Sequence, residues 1–160
     1  MAVIQHPHPC LRQVAAAVQA FDDDLMALVQ QMQQEMQDGL GGVGIAAPQL
    51  AVSQRVVLVD CSLGKHACKH HGRVVMVNPV LVASSGKALG REGCLSVPDW
   101  VATVQRAKKI TVHYQDEQGT PHELQASGFE ARVMQHEIDH LDGVLFIDRV
   151  ASTHDLMRRL

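Results

Sequence analysis

Apolar positions divide the chain into a helical stretch, a series of short strands and a second helical stretch. Leu25, Leu28, Val29, Met32 and Met36 recur at i, i+3, i+4 spacing, which predicts a helix over 22–38 with one core-facing stripe. Asp22, Asp23 and Asp24 suit the positive end of its dipole, and Gly39 is its stop signal. Residues 55–60, 73–78 and 109–114 are rich in β-branched side chains and bounded by turn residues, so each reads as a strand. Asp116-Glu-Gln-Gly119 predicts a hairpin turn that returns through 120–126. Ser127, with Glu130 three residues on, predicts a capping box. The helix it opens runs through Met134, Ile138 and Leu141 and stops at Gly143. Strands followed by a late helix, without βαβ alternation, point to an α+β fold.

A chain of 160 residues with no repeat, low-complexity tract or linker fits one domain over 1–160. Hydrophobic residues make up 46% and charged residues 19%, an ordinary globular balance. The net charge of −3, without a basic run, argues against a nucleic-acid partner. No apolar stretch approaches the roughly 18 residues needed to span a bilayer. The opening residues lack the basic and apolar regions of a signal peptide, so a cytoplasmic location is expected. A cytoplasm keeps thiols reduced, and Cys10, Cys61, Cys68 and Cys94 are irregularly spaced. They read as ligands or buried apolar filler rather than a disulfide framework.

The second helix carries His136-Glu-Ile-Asp-His140. Residues four apart on a helix are offset by about 40°, so both imidazoles leave one face, one turn apart. Two nitrogens so placed suit one divalent ion, and Glu137 can reach water on it. A third ligand lies either downstream, among Asp142, Asp148, His154 and Asp155, or upstream at Cys94. None of the downstream candidates has the spacing usual in zinc peptidases of this motif. For Cys94 the ordinary alternative is a buried free cysteine. Residues 42–49, Gly-Val-Gly-Ile-Ala-Ala-Pro-Gln, let backbone approach a substrate closely, and Gln49 offers an amide donor to an oxyanion.

These three segments, residues 42–49, 92–96 and 136–140, resemble in order and spacing the signature motifs of the peptide deformylases. The similarity extends from residues 3–12, which look like that family's opening segment, to about Asp148. It implies short antiparallel sheets packed around a central C-terminal helix that carries HExxH, plus an N-terminal helix. It implies removal of the formyl group from the N-terminal methionine of nascent chains, with release of formate. Cys94, His136 and His140 would hold one metal ion, Fe²⁺ first, with Zn²⁺, Ni²⁺ or Co²⁺ able to take its place. Attack would come from metal-bound hydroxide, with Glu137 as general base and acid and Gln49 and the Leu95 N–H on the oxyanion. Glu92 would support the ligands, paired with Arg106. Val43, Phe129 and Val133 would wall a methionine pocket, with Arg132 at its rim. Gly44, Glu92, Gly93 and Trp100 complete the expected substrate contacts. The partners implied are formyl-methionyl chains emerging at the ribosome, with no membrane and no direct nucleic-acid contact, and the protein is expected to be a monomer.

Three features depart from the family pattern. Asp99, Trp100 and Val101 follow the second motif, where Trp100 either covers the substrate chain or packs against the fold. The chain ends soon after Asp148. Residues 66–71, His-Ala-Cys-Lys-His-His, with Cys61 upstream, are dense enough in ligand types to suggest a second metal site. Gly64 and Gly72 flank the segment, so it reads instead as a surface loop with adventitious or no metal binding.

Overall fold

The computed structural model describes residues 3–38, 42–65, 67–150 and 152–158, with Thr153 in its backbone alone. Its first helix, α1, spans Asp23–Asp38. Asp22 caps it, accepting a hydrogen bond from the Leu25 N–H at 3.1 Å. The five predicted apolar positions are all buried. Gly39, the expected stop, lies outside the described residues.

Strands β1 (Gly44–Ala46), β2 (Val56–Asp60), β3 (Arg73–Ser85), β6 (Lys109–Gln115) and β7 (Pro121–Ser127) form an antiparallel sheet in the order β1-β2-β3-β6-β7. Both faces of β2 are covered, and the period of two sends alternate residues to different helices. Val56 and Leu58 join Leu28, Met32 and Met36 of α1 in one apolar cluster. Val57 and Val59 join Ala131, Met134 and Leu141 of helix α2 (Gly128–Leu141) in another. Strands β4 (Ala88–Cys94), β5 (Val97–Arg106) and β8 (Leu156–Arg158) make a second antiparallel sheet. A third cluster joins Cys94, Ala102 and Val104 of this sheet to Leu11, Leu145 and Phe146. The α+β architecture is therefore as expected, with antiparallel sheets on α2.

Two local readings are corrected, the end of β3 and the capping box, and two features are added. Strand β3 continues seven residues past Asn78, because the ladder with β6 shifts register there and resumes at Val80 opposite His113. A bulge tolerates the missing N–H of Pro79, and Asn78 takes a positive φ of 52°. Its side chain holds the distortion, accepting from the Val18 N–H and donating to the Val18 carbonyl. Cys94 closes a strand, and a two-residue turn returns the chain to Val97. The capping box is absent: Ser127 makes no side-chain cap, and Glu130 turns inward. There it accepts from the backbone N–H of His71 at 2.7 Å and meets His71 Nδ1 at 2.6 Å. Two donors fixed on the adjoining loop outcompete the helix's own N-terminus for that carboxylate. Finally, the short tail contributes β8, paired with Trp100–Ala102 of β5.

The end of α2 packs directly on the N-terminal segment. Gly143 has φ of 73°, and a Cβ there would lie 2.6 Å from the Arg12 carbonyl oxygen. Gly143→Ala should therefore lower stability by about 2 kcal/mol or more, through left-handed strain plus the clash. Urea denaturation reads the effect, and an unchanged midpoint would contradict this packing.

Candidate metal centre

Helix α2 delivers both imidazoles from its buried face, and the β4–β5 turn brings Cys94 against them. The donor atoms of Cys94, His136 and His140 all lie within 4.8 Å of one another. Cys94 Sγ is 3.4 Å from His140 Nε2. A tetrahedral ion about 2.3 Å from sulfur and about 2.0 Å from nitrogen would set these two atoms about 3.5 Å apart. The donor set, one thiol and two imidazoles, suits Fe²⁺, Zn²⁺, Ni²⁺ or Co²⁺ and leaves room for a further ligand. Among the described residues, Cys94 converges on the two histidines, whereas Asp142, Asp148, His154 and Asp155 do not join the group.

Glu92 orients the first histidine. Its Oε1 lies 2.9 Å from His136 Nδ1, so the other ring nitrogen, Nε2, is the one free to ligate. Burial would push the Glu92 carboxyl up, but hydrogen bonds from Arg106 and His136 hold it far below the usual carboxylate range. Arg106 donates to both oxygens, at 2.9 and 2.8 Å, which is the expected pairing. It also donates to Asp139 at 2.6 Å, and Asp139 accepts twice from Arg149. The two ligand histidines are driven apart. Burial, then the neighbouring His136 and Arg106, push His140 well below its ordinary value, so it is a neutral donor. Burial acts the same way on His136, but Glu137, Cys94 and Glu92 outweigh it and raise that group.

Glu137 is buried, and its Oε1 has no protein partner. Burial raises its carboxyl to about 7. Gly44 packs on this side chain so closely that a Cβ would sit 2.7 Å from Glu137 Oε2 and 2.8 Å from Val133 Cγ1. Gln49 is oriented without ambiguity. Its Oε1 accepts from the Ala46 N–H at 2.9 Å, so its Nε2 faces Ser96 Oγ at 3.1 Å and Cys94 Sγ at 3.5 Å.

A cavity of about 270 Å³ opens onto this cluster. Val43, Gly44, Gln49, Glu92, Gly93, Cys94, Leu95, Phe129, Arg132, Val133, His136 and Glu137 all line it, and His140 lies behind. Phe129 is 44% exposed and stands at the mouth. Two residues are placed otherwise than expected. Trp100 is not among the residues that line the cavity; it lies on β5, paired with Arg158 of β8, and is partly exposed. Arg132 is not a rim residue: it is buried, and its guanidinium is engaged with Glu92 and two backbone carbonyls. Sequence reasoning missed Arg91, which lines the cavity beside Glu92, and the support from Ser96 and Asp139. Each lies within two residues of a position the sequence had singled out, which was the available signal.

Among the described residues the cluster of Cys94, His136 and His140 is the only group of three or more convergent ligand atoms. In the histidine-rich segment, His71 is spent on Glu130 and Cys68 packs against the core. Burial, with Cys68 beside it, pushes the Cys61 thiol up to about 12. His66 lies outside the described residues. No helix among the described residues is long and apolar enough to cross a membrane.

The chain resembles known proteins over nearly its whole length. The polypeptide deformylase family model matches residues 1–155. A peptide deformylase of Alkalilimnicola ehrlichii is 42% identical over 150 residues, covering 94% of this chain and 82% of the relative. One from Acidobacterium capsulatum is 39% identical over 158 residues, covering 98% and 91%. Among solved structures, a Legionella pneumophila peptide deformylase superposes with a TM-score of 0.86 at 40% identity, covering 96% of this chain and 86% of that one. A class I type b enzyme of Acinetobacter baumannii, solved with Met-Ala-Ser bound, gives 0.87 at 39% identity, covering 93% and 98%.

Two outcomes follow from the site's electrostatics and ligand count. The Glu92 carboxyl is depressed in the folded state, so its stabilising effect is present above the ordinary value of 4.5 and fades as pH falls below it. In metal-free protein, Glu92→Gln should cost about 3 kcal/mol at neutral pH by stranding buried guanidinium groups. Urea denaturation should show that gap closing towards about pH 3, and a gap independent of pH would contradict the assignment. Metal analysis should return one equivalent per chain. Two equivalents, one lost when His70 and His71 are replaced, would restore the second site.

Proposed function

The chain belongs to the polypeptide deformylase family, and we propose that it hydrolyses the N-formyl amide of the N-terminal methionine of nascent polypeptides, releasing formate. The observation that carries this reading is the unpaired, buried Glu137 Oε1 beside three convergent ligand atoms at the floor of one cavity. The bound Met-Ala-Ser in the Acinetobacter baumannii relative, a methionyl peptide without its formyl group, supports the same substrate class.

Cys94, His136 and His140 would hold one divalent ion, Fe²⁺ by family resemblance. When bound, the ion supplies Lewis acidity that makes water nucleophilic near neutral pH. Glu137 accepts the proton of the attacking water as the oxygen–carbon bond forms. A carboxyl raised to about 7 can hold that proton and then pass it to the amine nitrogen as the carbon–nitrogen bond breaks. Charge gathers meanwhile on the formyl oxygen. Gln49 Nε2, locked towards the ligands by the Ala46 N–H, and the Leu95 N–H are the donors assigned to it. Val43, Phe129 and Val133 form the apolar walls for the methionine side chain, with Gly44 and Gly93 admitting the substrate backbone. The same reading takes 1–160 as one catalytic domain, acting as a cytoplasmic monomer on chains emerging at the ribosome.

Formate release from formyl-Met-Ala-Ser by Fe²⁺- or Ni²⁺-loaded protein tests the proposal. Glu137→Ala should keep the metal and lose roughly 100- to 10,000-fold in rate. A loaded wild type that releases no formate but cleaves unformylated peptides would make the protein a metallopeptidase instead.

A further inference from the structure

Arg132 precedes His136 by four residues, on the same face of α2, and it is 9% exposed. Its Nη1 donates to Glu92 Oε2 at 2.7 Å and to the Val104 carbonyl at 2.9 Å, and its Nη2 donates to the Ala88 carbonyl at 2.8 Å. One guanidinium thus ties α2 to both strands of the β4–β5 hairpin and to the carboxylate that orients a ligand. Gly90 makes room for it. A Cβ at that position would lie 2.7 Å from both Cζ and Nε of Arg132, so only a glycine lets the planar group lie against β4.

Arg106 approaches Glu92 from elsewhere, Nε on Oε2 and Nη2 on Oε1. Oε2 therefore receives two guanidinium donors, and Oε1 is shared between Arg106 and His136 Nδ1. With Arg106 alone, the carboxylate could swing about its own stem, because Arg106 is also drawn towards Asp139. The donor from Arg132, anchored by two backbone carbonyls, removes that freedom.

We propose that Arg132 is a positioning residue of the metal site: with Gly90 as its cradle, it fixes the Glu92 carboxylate and through it the His136 ring. It lines the cavity, yet three of its N–H groups are committed within the protein, which leaves it poorly placed to recognise substrate. The inference rests on the proposed function only where activity is measured.

The test uses Co²⁺-loaded protein with Arg132→Met, Arg132→Lys and Gly90→Ala. Three quantities are read: the visible ligand-field spectrum, the rate of metal loss to a chelator, and kcat and KM on formyl-Met-Ala-Ser. Arg132→Met should alter the spectrum, speed metal loss about 10- to 100-fold and lower kcat by a similar factor, with KM held within about twofold. Lysine can satisfy the carboxylate or a carbonyl but not all three acceptors, so it should recover part of each effect. Gly90→Ala, which keeps the arginine but fills its cradle, should move all three in the same direction as methionine. Should Arg132→Met fail to fold, Lys and Gly90→Ala carry the same comparison. A raised KM with spectrum, metal loss and kcat unchanged would make Arg132 a substrate contact and overturn the proposal. Wild-type protein that releases no formate would defeat the substrate reading, while the spectrum and metal-loss arms still decide the role of Arg132.

Discussion

The buried carboxylate of Glu92 is the constraint around which the site is organised. An ion this far from water is costly unless nearly every lone pair is met by a charged or strongly polar partner. Here Arg106, Arg132 and His136 all meet it, and they come from two different parts of the chain. Arg106 ends β5, whereas Arg132 and His136 lie on α2. The network therefore does more than satisfy a charge. It fixes how the helix bearing two ligands sits against the strand bearing the third. Asp139 extends the alternation of charge to Arg149, so the turn Phe146–Arg149 is held to the same frame.

That frame explains why two histidines one turn apart behave differently. Burial alone would lower both. His140 meets no carboxylate, and its neighbours His136 and Arg106 add to the lowering. His136 touches Glu92 and feels Glu137 and Cys94, which favour a proton on it. The same negative groups that hold a proton on His136 in metal-free protein would welcome a divalent cation there, since both charges occupy the same electrostatic well. On the proposed reading of both as ligands, His140 would meet the ion already neutral and His136 would give up a proton to it.

The centre was legible in the sequence because its geometry is local. The spacing of His136 and His140 is fixed by helical pitch, and the apolar stripe of α1 by the same period. Cys94 needed the resemblance, since no spacing rule connects it to a helix more than thirty residues on. What was misread depended on register and on competition between partners. Trp100 sits where β5 pairs with a three-residue strand too short to announce itself in the sequence. Glu130 satisfies the pattern of a capping box, but the pattern says nothing of the two donors that His71 presents to it. The resemblance put Arg132 at the rim of the methionine pocket. Its burial follows from acceptors on β4 and β5 that only the folded hairpin brings together.

The narrowest part of the site is set by a missing side chain. Gly44 lies against Glu137 and Val133 so tightly that even a methyl group would collide with both. A side chain there would displace the carboxyl that, on the proposed reading, moves the proton. The close approach has a second consequence. With β1 pressed onto Glu137, that side chain is buried beside the cavity, and burial raises its carboxyl to about 7. On the proposed reading, close packing and tuning of the acid go together: the position that admits no side chain adjoins a carboxyl dry enough to trade protons near neutral pH.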